Sequence, residues 1–403
     1  MASSEFDNNP FLSSGLASTT LHPLGLEVIG AEGCWLHLSD GRRVFDAISG
    51  IGVSSFGHKH PTIHGALQAQ LDSHLHTMVY GEFVQSAQHR ASALLRETLP
   101  SHLDSVYFVN SGAEAIDAAL KLAKRLTGRR RILAVQGGYH GNTHGALSVS
   151  SNEARKAPYL PLLPEVEFLN WNSVEDLERI DESVACVVAE TVQGDAGVRI
   201  PDRAWLQAMQ ARCRATGAKL ILDEIQCGMG RTGRPWALDH FEIQPDMVCM
   251  GKALGGGMPI GALAASTSDM AAFAHSPSLG HITTFGGHPM ACAGAIGALT
   301  CMSGLDWEHI EQTNRQWQQA LQAHPAVRGA RRIGAFHAVE LTSPDQVQHL
   351  VEGALTIRPE MGLLAFWFLS VPHAFRLAPP LNASEEDMNL AMTMLMEALD
   401  RCV

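Results

Sequence analysis

The middle of the chain alternates short, continuously apolar segments with helical patterns, and this alternation limits the possible folds most strongly. We predict strands at 106–109, 131–135, 184–189, 220–222, 247–250 and 260–264, and helices at 113–126 and 202–216. Strands that are apolar on both faces indicate a parallel sheet covered by helices on both sides. The sequence therefore predicts an α/β fold with a large domain built on a mostly parallel sheet.

The two ends of the chain have a different pattern. After about Pro289, long helical stretches flank a few strands, such as those at 336–341 and 362–368, which indicates a smaller α+β domain. Near the N-terminus, the Asp40-Gly41 pair between apolar residues predicts the turn of a β-hairpin. We assign a mobile tail to residues 1–20, a segment that joins the small domain to 21–55, the large domain to 56–288, and the C-terminal small domain to 289–403.

Charge and composition exclude several classes of partner. The 403 residues carry a formal net charge of −12, which argues against a nucleic-acid surface, because that requires a clustered basic patch. The polar, acidic N-terminus lacks the regions of a signal peptide, and no apolar run reaches transmembrane length. The cysteines and histidines show no metal-binding spacing, so we predict no metal site. We expect a cytoplasmic protein without a nucleic-acid or membrane partner.

Polar residues and glycines concentrate where the predicted strands end. The loops read NSGAE, GGYHGN, AETVQGDAG, DEIQCGMGRTG and GKALGGG. In open parallel sheets, ligands bind at the carboxyl ends of the strands. We therefore expect one ligand site that draws on five loops.

The segment NSGAEA at 110–115 follows a strand and opens a helix. Ser111 and Glu114 match the capping box S-x-x-E, which is a structural device. The free N–H groups of a helix start, beside a glycine that permits close approach, also bind phosphate. The two interpretations are compatible.

Two charged residues stand at the ends of apolar strands. Asp223 ends LILD and requires a cationic partner, because a buried unpaired carboxylate is costly; the partner is either a structural one, such as Arg231, or a ligand. Lys252 follows MVCMG and is either a snorkelling surface residue or a desolvated amine that forms a Schiff base. The segment GMGRTG at 228–233 matches G-x-G-x-x-G, but no helix pattern follows it, which disfavours a nicotinamide or flavin site.

Taken together, these features match the needs of one cofactor. Pyridoxal phosphate requires a helix N-terminus for its phosphate, an aromatic face for its ring, a carboxylate for its pyridinium nitrogen and a lysine for its aldehyde. The helix start at Ser111, the Tyr139-His140 pair, Asp223 and Lys252 supply these groups. We therefore predict pyridoxal 5′-phosphate as the cofactor.

From about Leu24 to Leu381, the chain resembles the class III aminotransferases, the family of ornithine, acetylornithine and 4-aminobutyrate aminotransferases. The resemblance rests on the segment LILDEIQCGMGRTGRPWALDHFEIQPDMVCMGKALGGGMPIGA. It implies PLP fold type I, a PLP-binding large domain, a small domain formed by the N- and C-terminal segments, and a homodimer with shared active sites. It also implies a ping-pong transaminase that moves an amino group from an amino acid or ω-amine donor to a 2-oxo acid, with 2-oxoglutarate expected.

Two other functions remain open within this resemblance. The family includes an aminomutase, which needs no 2-oxo acid, and a decarboxylating transaminase, which releases CO₂. A PLP-binding protein without catalytic activity is the third possibility, although the residues needed for chemistry are present.

The resemblance also implies roles for residues at matching positions. Lys252 would form the internal aldimine and move the proton between the substrate Cα and the cofactor C4′. Arg376 would bind a substrate carboxylate. The remaining implied cofactor contacts are Asp223 at the pyridine nitrogen, Gln226 at the 3′ oxygen, Ile225 and Tyr139 on the two ring faces, Gly112 and Ala113 with Ser111 nearby at the phosphate, Thr284 at the phosphate of the neighbouring subunit, and Glu190 in an acidic loop.

Two positions depart from the family pattern. Asp195 stands where many members carry a glutamate that covers the carboxylate-binding arginine when an ω-amine donor is bound and swings away for 2-oxoglutarate. Asn142 stands where ornithine-like and aminobutyrate-like members carry an arginine, and a neutral amide cannot make a bidentate carboxylate clamp. We therefore expect Asn142 and Asp195 to decide substrate choice together with Arg376, and the donor to differ from acetylornithine itself.

Overall fold

A computed structural model of the chain describes residues 11, 14–20 and 23–402. Residues 1–10 and 12–13 of the predicted tail, and residues 21–22 of the next segment, lie outside this range. Within the described residues, no helix has both the length and the apolar character needed to cross a membrane.

Strands and helices alternate through the middle of the chain. The strands are β1 (Val28–Glu32), β2 (Trp35–Leu38), β3 (Arg43–Asp46), β4 (Ser105–Val109), β5 (Arg131–Val135), β6 (Val166–Leu169), β7 (Val184–Glu190), β8 (Lys219–Asp223), β9 (Met247–Gly251), β10 (Gly261–Ala265), β11 (Gly329–Ile333), β12 (Phe336–Glu340), β13 (Met361–Leu364), β14 (Phe366–Trp367) and β15 (Ala374–Leu377). The main helices are α1 (Pro61–Ser73), α2 (Ser86–Glu97), α3 (Gly112–Thr127), α4 (His144–Val149), α5 (Glu153–Lys156), α6 (Arg203–Thr216), α7 (Thr267–Met270), α8 (Pro289–Ser303), α9 (Trp307–Ala323), α10 (Pro344–Ala354) and α11 (Glu385–Asp400).

The large sheet has seven strands in the order β4-β10-β9-β8-β7-β5-β6. β10 runs antiparallel to both of its neighbours, and the remaining pairs are parallel. Every residue of β7 and β9 is buried, as expected of strands with helices on both faces. The predicted α/β fold with a mostly parallel sheet is confirmed.

The N-terminal and C-terminal segments meet in a second sheet. Its order is β1-β2-β3-β13, and β13 from the C-terminal part lies parallel to β3. β2 and β3 form the predicted hairpin, in which Gly41 has a φ of +87°, a left-handed conformation that favours glycine. A third sheet, β11-β12-β15-β14, completes the smaller α+β part of the molecule. The domain limits at 21–55, 56–288 and 289–403 remain predictions, and α8, just after residue 288, packs on α1 and α2.

One predicted strand was wrong. The apolar stretch at 362–368 is two strands, β13 and β14, which pair in different sheets: β13 lies beside β3 and β14 beside β15. The chain changes sheets at the buried Ala365. A continuous apolar run indicates burial but does not say which neighbours its backbone will pair with.

The glycines that follow Lys252 permit a close contact with α8. A Cβ atom built on Gly294 of this helix would lie 2.2 Å from the carbonyl oxygen of Gly255. A Cβ atom on Gly256, whose φ is +58°, would lie 2.8 Å from the carbonyl oxygen of Gly294. Side chains at these positions would separate the turn from the helix, so the glycines hold α8 tightly against the turn that begins at Lys252.

Candidate active site

The carboxyl ends of β4, β5, β7, β8 and β9 surround one cavity of about 270 Å³. The cavity brings together most of the residues that the sequence predicted for one site. Its lining consists of Gly112, Ala113, Tyr139, His140, Gly141, Asn142, Glu190, Asp223, Ile225, Gln226 and Lys252.

Lys252 leaves β9 in an unusual backbone conformation and lines the cavity. Its φ is +47°, which is uncommon for a residue with a side chain and is found at functional sites more often than elsewhere. Burial lowers the pKa of its amine, and the positive charge of Arg376 adds to this effect, while the negative charges of Asp223 and Glu190 oppose it. A lowered pKa increases the neutral fraction, which is the nucleophilic and basic form. This environment favours the desolvated amine over the snorkelling surface residue.

Asp223 at the end of β8 is buried, with 3% of its surface exposed. Its Oδ2 lies 2.7 Å from Nδ1 of His140, and its Oδ1 accepts a hydrogen bond of 2.9 Å from the N–H of Ile225. The expected structural alternative, an ion pair with Arg231, was wrong. The guanidinium of Arg231 donates instead to backbone carbonyl oxygens and serine hydroxyls elsewhere in the molecule.

His140 was predicted at the site only as part of an aromatic pair, and its role as the partner of Asp223 was not predicted. Burial disfavours its charged form, but the hydrogen bond and negative charge of Asp223, together with the charge of Glu190, outweigh that effect and raise its pKa. Its Nε2 is buried and has no hydrogen-bond partner among the described residues. The position of His140 in GGYHGN, a loop that follows a strand, was the available signal, but we used the pair with Tyr139 only as an aromatic feature. The imidazole orients the Asp223 carboxylate at the floor of the cavity.

The start of α3 leaves N–H groups available to a ligand. The Ser111 hydroxyl accepts a hydrogen bond of 3.2 Å from the N–H of Glu114, as predicted for the first half of a capping box. The Glu114 carboxylate, however, accepts a hydrogen bond of 2.7 Å from the N–H of Asn110, one residue before the expected position. Gly112 and Ala113 lie in the first helical turn, where N–H groups have no carbonyl partner within the helix, and both residues line the cavity. This arrangement suits an anion.

Gly112 and Ile225 lie unusually close to each other. A Cβ atom built on Gly112 would be 2.7 Å from Cδ1 and 2.9 Å from Cγ2 of Ile225. Glycine at position 112 therefore lets the Ile225 side chain occupy one side of the cavity beside the helix start.

Glu190 connects two loops of the site. Its two carboxylate oxygens each accept a hydrogen bond of 2.9 Å, from the N–H of Tyr139 and from the N–H of Gly194. Burial raises the pKa of Glu190 to about 7; the positive charge of His140 opposes this effect, and the negative charge of Asp223 adds to it. The carboxyl group thus fixes the Tyr139 loop relative to the loop that carries Asp195.

Gln226 is accommodated by a glycine on the facing loop. A Cβ atom at Gly194 would lie 2.2 Å from Oε1 of Gln226, so only glycine allows the amide to approach this closely. Tyr139 and Asn142 line the cavity on the other side, and burial raises the pKa of the Tyr139 hydroxyl.

Arg376 and Asp195 form a buried ion pair near Lys252. The distance from Nη2 of Arg376 to Oδ1 of Asp195 is 3.1 Å. Asp195 also accepts hydrogen bonds from the N–H of Leu369, at 3.1 Å, and from the hydroxyl of Ser370, at 2.7 Å. Burial lowers the pKa of Arg376, and the Asp195 carboxylate opposes this effect. The aspartate therefore covers the arginine directly, although it is one methylene shorter than glutamate.

Thr284 does not join the other predicted residues. It is exposed, and it does not line the cavity of its own chain. The preceding residue, Thr283, accepts a hydrogen bond of 2.8 Å from the Asn110 side chain. The predicted contact of Thr284 with a neighbouring subunit remains a prediction.

Comparison with known proteins places nearly the whole chain in one family. The family model described as "Aminotransferase class-III" matches residues 17–399. The acetylornithine aminotransferase of Methanopyrus kandleri is 35% identical over 92% of this chain and 94% of its own length. The putrescine aminotransferase of Pectobacterium atrosepticum is 35% identical over 90% of this chain and 79% of its own length.

A solved structure agrees with these relatives. The ornithine aminotransferase of Toxoplasma gondii, in a structure that shows partial occupancy of PLP at the active site, superimposes with a TM-score of 0.85. It is 27% identical and covers 95% of this chain and 92% of its own. The predicted resemblance, PLP fold type I and the pyridoxal-phosphate cofactor are confirmed. The chain belongs to the class III aminotransferases, enzymes that depend on pyridoxal phosphate.

Proposed function

We propose that the enzyme transfers the terminal amine of an ω-amino donor to a 2-oxo acid, with 2-oxoglutarate as the acceptor, in two half-reactions that share one cavity. The buried Arg376–Asp195 ion pair carries this proposal. While Asp195 neutralises the guanidinium, Arg376 does not require a substrate carboxylate. A donor end that bears an amine but no carboxylate can then approach Lys252. When Asp195 moves away, Arg376 becomes available to the 1-carboxylate of the 2-oxo acid. The relatives named for acetylornithine and putrescine, two compounds with a terminal primary amine, support this donor class.

The residues of the cavity fit pyridoxal phosphate. The unpaired N–H groups of Gly112 and Ala113 suit its phosphate, and the buried Asp223 carboxylate suits a protonated ring nitrogen. When bound, the cofactor supplies an electron sink for the bond that breaks at the substrate carbon.

The protein's own groups supply binding and proton transfer. The Lys252 amine, with its lowered pKa, would take the proton from the substrate carbon and deliver it to the cofactor carbon that the amine had bonded to. His140 holds the Asp223 carboxylate in one orientation, at 2.7 Å. Ile225 and Tyr139, which both line the cavity, would contact the two faces of the cofactor ring. Placing these groups on the ends of buried strands keeps their geometry fixed during both half-reactions.

Asp195→Asn tests whether this ion pair controls access of carboxylates. The amide retains the size of aspartate but loses the charge that competes for Arg376. We expect the KM for 2-oxoglutarate to fall about tenfold, which corresponds to about 1.4 kcal/mol of removed competition. Steady-state kinetics with a fixed donor provides the measurement.

The matched control for this variant is Asp181→Asn. This substitution removes a half-exposed carboxylate that pairs with Arg131 near the start of β5 and β7, at the opposite end of the sheet from the cavity. We expect its KM for 2-oxoglutarate to stay within about twofold of the wild-type value, since exposed pairs contribute little. An unchanged or higher KM in Asp195→Asn would mean that Asp195 does not compete for the acceptor.

Gly112→Ala tests the cofactor site at the start of α3. The new methyl group would overlap the Ile225 side chain and push it toward the ring position or away from the helix. Such overpacking typically costs 1–3 kcal/mol, so we expect the dissociation constant for pyridoxal phosphate to rise by about tenfold or more. Titration of the apoenzyme, followed by cofactor absorbance, measures it.

A second glycine provides the control for this change. Gly65 lies in α1, and a Cβ atom built there meets nothing within 4 Å. Gly65→Ala is expected to leave cofactor affinity unchanged while it stabilises the helix by about 0.5–1 kcal/mol. Equal cofactor affinity in the two variants would contradict the proposed phosphate position.

The shared-site homodimer and the cytoplasmic location are part of the same proposal. Thr284 is exposed on its own chain, which supports a role toward a second subunit. Phe285, the next residue, is a large apolar side chain that is exposed as well. In another loop, Val84 is 91% exposed. Exposed apolar groups of this size favour burial in a subunit interface.

A further inference from the structure

Arg155 is a cationic side chain close to the cavity that the roles above do not use. It lies in the short helix α5 and is half-buried. Its Cζ atom is 5.8 Å from the centroid of the Tyr139 ring, which lines the cavity. Within residues 23–402, its guanidinium has no carboxylate in ion-pair contact, and its side chain makes no hydrogen bond.

The charge of Arg155 acts on the same space as that of Arg376. Burial raises the pKa of Tyr139, and the charge of Arg155 is the largest effect that opposes this rise. Burial also lowers the pKa of Arg376, and the charge of Arg155 contributes further to that decrease. Asp195 neutralises Arg376 at 3.1 Å, whereas Arg155 remains without a counterion. Beside the cavity, next to the lining residue Tyr139, there is therefore a guanidinium without a carboxylate partner among the described residues.

The polar residues next to Arg155 and Tyr139 are less suited than Arg155 to bind a carboxylate. Lys156 pairs with Glu153 at 3.2 Å and lies 4.5 Å from the centroid of the Phe168 ring, so its ammonium is already engaged. Asn142 lines the cavity but carries no charge. A planar guanidinium binds a carboxylate in a bidentate manner, which neither an amide nor an ammonium can reproduce.

We propose that Arg155 binds the carboxylate of an amino-acid donor at the end remote from the transferred amine, and so makes the enzyme prefer ω-amino acids over diamines. This inference rests on the proposed function, because it assigns a subsite within the donor cavity. Arg155 lies beside Tyr139, which lines the same cavity as Lys252. A donor whose carboxylate binds Arg155 would therefore have its amine directed toward Lys252. The competing role is a cation–π contact that only stabilises Tyr139, and that role would affect all donors alike.

Arg155→Gln, assayed with ornithine and putrescine, separates these two roles. Putrescine is ornithine without its carboxylate, so the pair isolates that group. With 2-oxoglutarate as acceptor, we expect kcat/KM for ornithine to fall about 10- to 100-fold, as for loss of a charged hydrogen bond, while kcat/KM for putrescine changes less than about threefold. Arg155→Lys keeps the positive charge but cannot make the bidentate contact of a guanidinium, so it should recover part of the loss with ornithine. An equal loss with both donors, or none with ornithine, would overturn the proposal.

A control and a binding measurement make the outcome independent of turnover. Arg315→Gln removes an arginine from α9 whose side chain is 62% exposed, and it should leave both donors unaffected. Pentanoate, the carbon skeleton of ornithine without its amines, should bind the holoenzyme of Arg155→Gln about tenfold more weakly than wild type in an NMR titration. An unchanged pentanoate dissociation constant would overturn the Arg155 assignment. Failure of the wild-type enzyme to turn over either donor would refute the donor class instead, and the pentanoate titration would still decide the role of Arg155.

Discussion

Lys252→Ala is expected to lower kcat for amino transfer by at least about 10³-fold, because it removes both the nucleophilic amine and the group that moves the proton. The wild-type amine is poised for this work by burial, which lowers its pKa, and by the left-handed backbone that directs it into the cavity. No other lysine lines the cavity within the described residues. Glutamate formation from 2-oxoglutarate and a donor measures the loss.

The control for this substitution is Lys124→Ala in α3. Lys124 lies near the end of this helix, away from the strand ends that surround the cavity. We expect its activity to remain within about twofold of wild type, as for a surface substitution. If the Lys252→Ala enzyme retained more than about one hundredth of wild-type kcat, the catalytic role of Lys252 would be wrong.

Asp223→Asn is expected to lower kcat by about 10² to 10³-fold while it preserves the shape of the side chain. The charge of Asp223 lies at the end of β8 in a buried setting, where an electrostatic interaction with a ring cation is much stronger than in water. The amide cannot hold a proton on the ring nitrogen, and its contact with His140 loses the ionic component. Single-turnover kinetics with saturating donor reports the chemical step directly.

Asp246→Asn is the matched control on the same sheet. Asp246 precedes β9 and accepts a hydrogen bond of 2.9 Å from the N–H of Leu220, as Asp223 does from the N–H of Ile225. It lies at the opposite end of the strands from the cavity. We expect stability to decrease slightly in this variant and kcat to change little. Comparable losses of kcat in the two variants would indicate that Asp223 is structural.

The parallel sheet could be predicted because its strands are buried on both faces. The strand at 131–135 has the predicted limits, and the helix predicted at 113–126 extends only one residue further at each end, as Gly112–Thr127. Continuous burial produces an unbroken apolar segment that local sequence reveals. The stretch at 362–368 shows the limit of this reasoning, because its two halves are equally apolar but pair with strands that are distant in sequence.

The residues of the cavity were predictable one by one, but their partners were not. Asp223 required a cation, and Arg231 was the nearest arginine in sequence; the structure supplies His140, 83 residues earlier. A charged residue in an apolar segment of the sequence predicts that a partner is required. The order of strands in the sheet then decides which side chain becomes that partner. The close approach of Gly112 to Ile225 is likewise a tertiary contact between loops after β4 and β8 that no local pattern encodes.

The central claim is that this cavity transfers the terminal amine of a donor to a 2-oxo acid. Ornithine or putrescine labelled with nitrogen-15 at the terminal amine, incubated with the holoenzyme and 2-oxoglutarate, tests it most directly by mass spectrometry of the glutamate formed. We predict that labelled glutamate appears in a one-to-one ratio with the aldehyde product, that no CO₂ is released, and that Lys252→Ala yields neither product. Label in free ammonium, or donor conversion beyond one equivalent per active site in the absence of 2-oxoglutarate, would contradict the account.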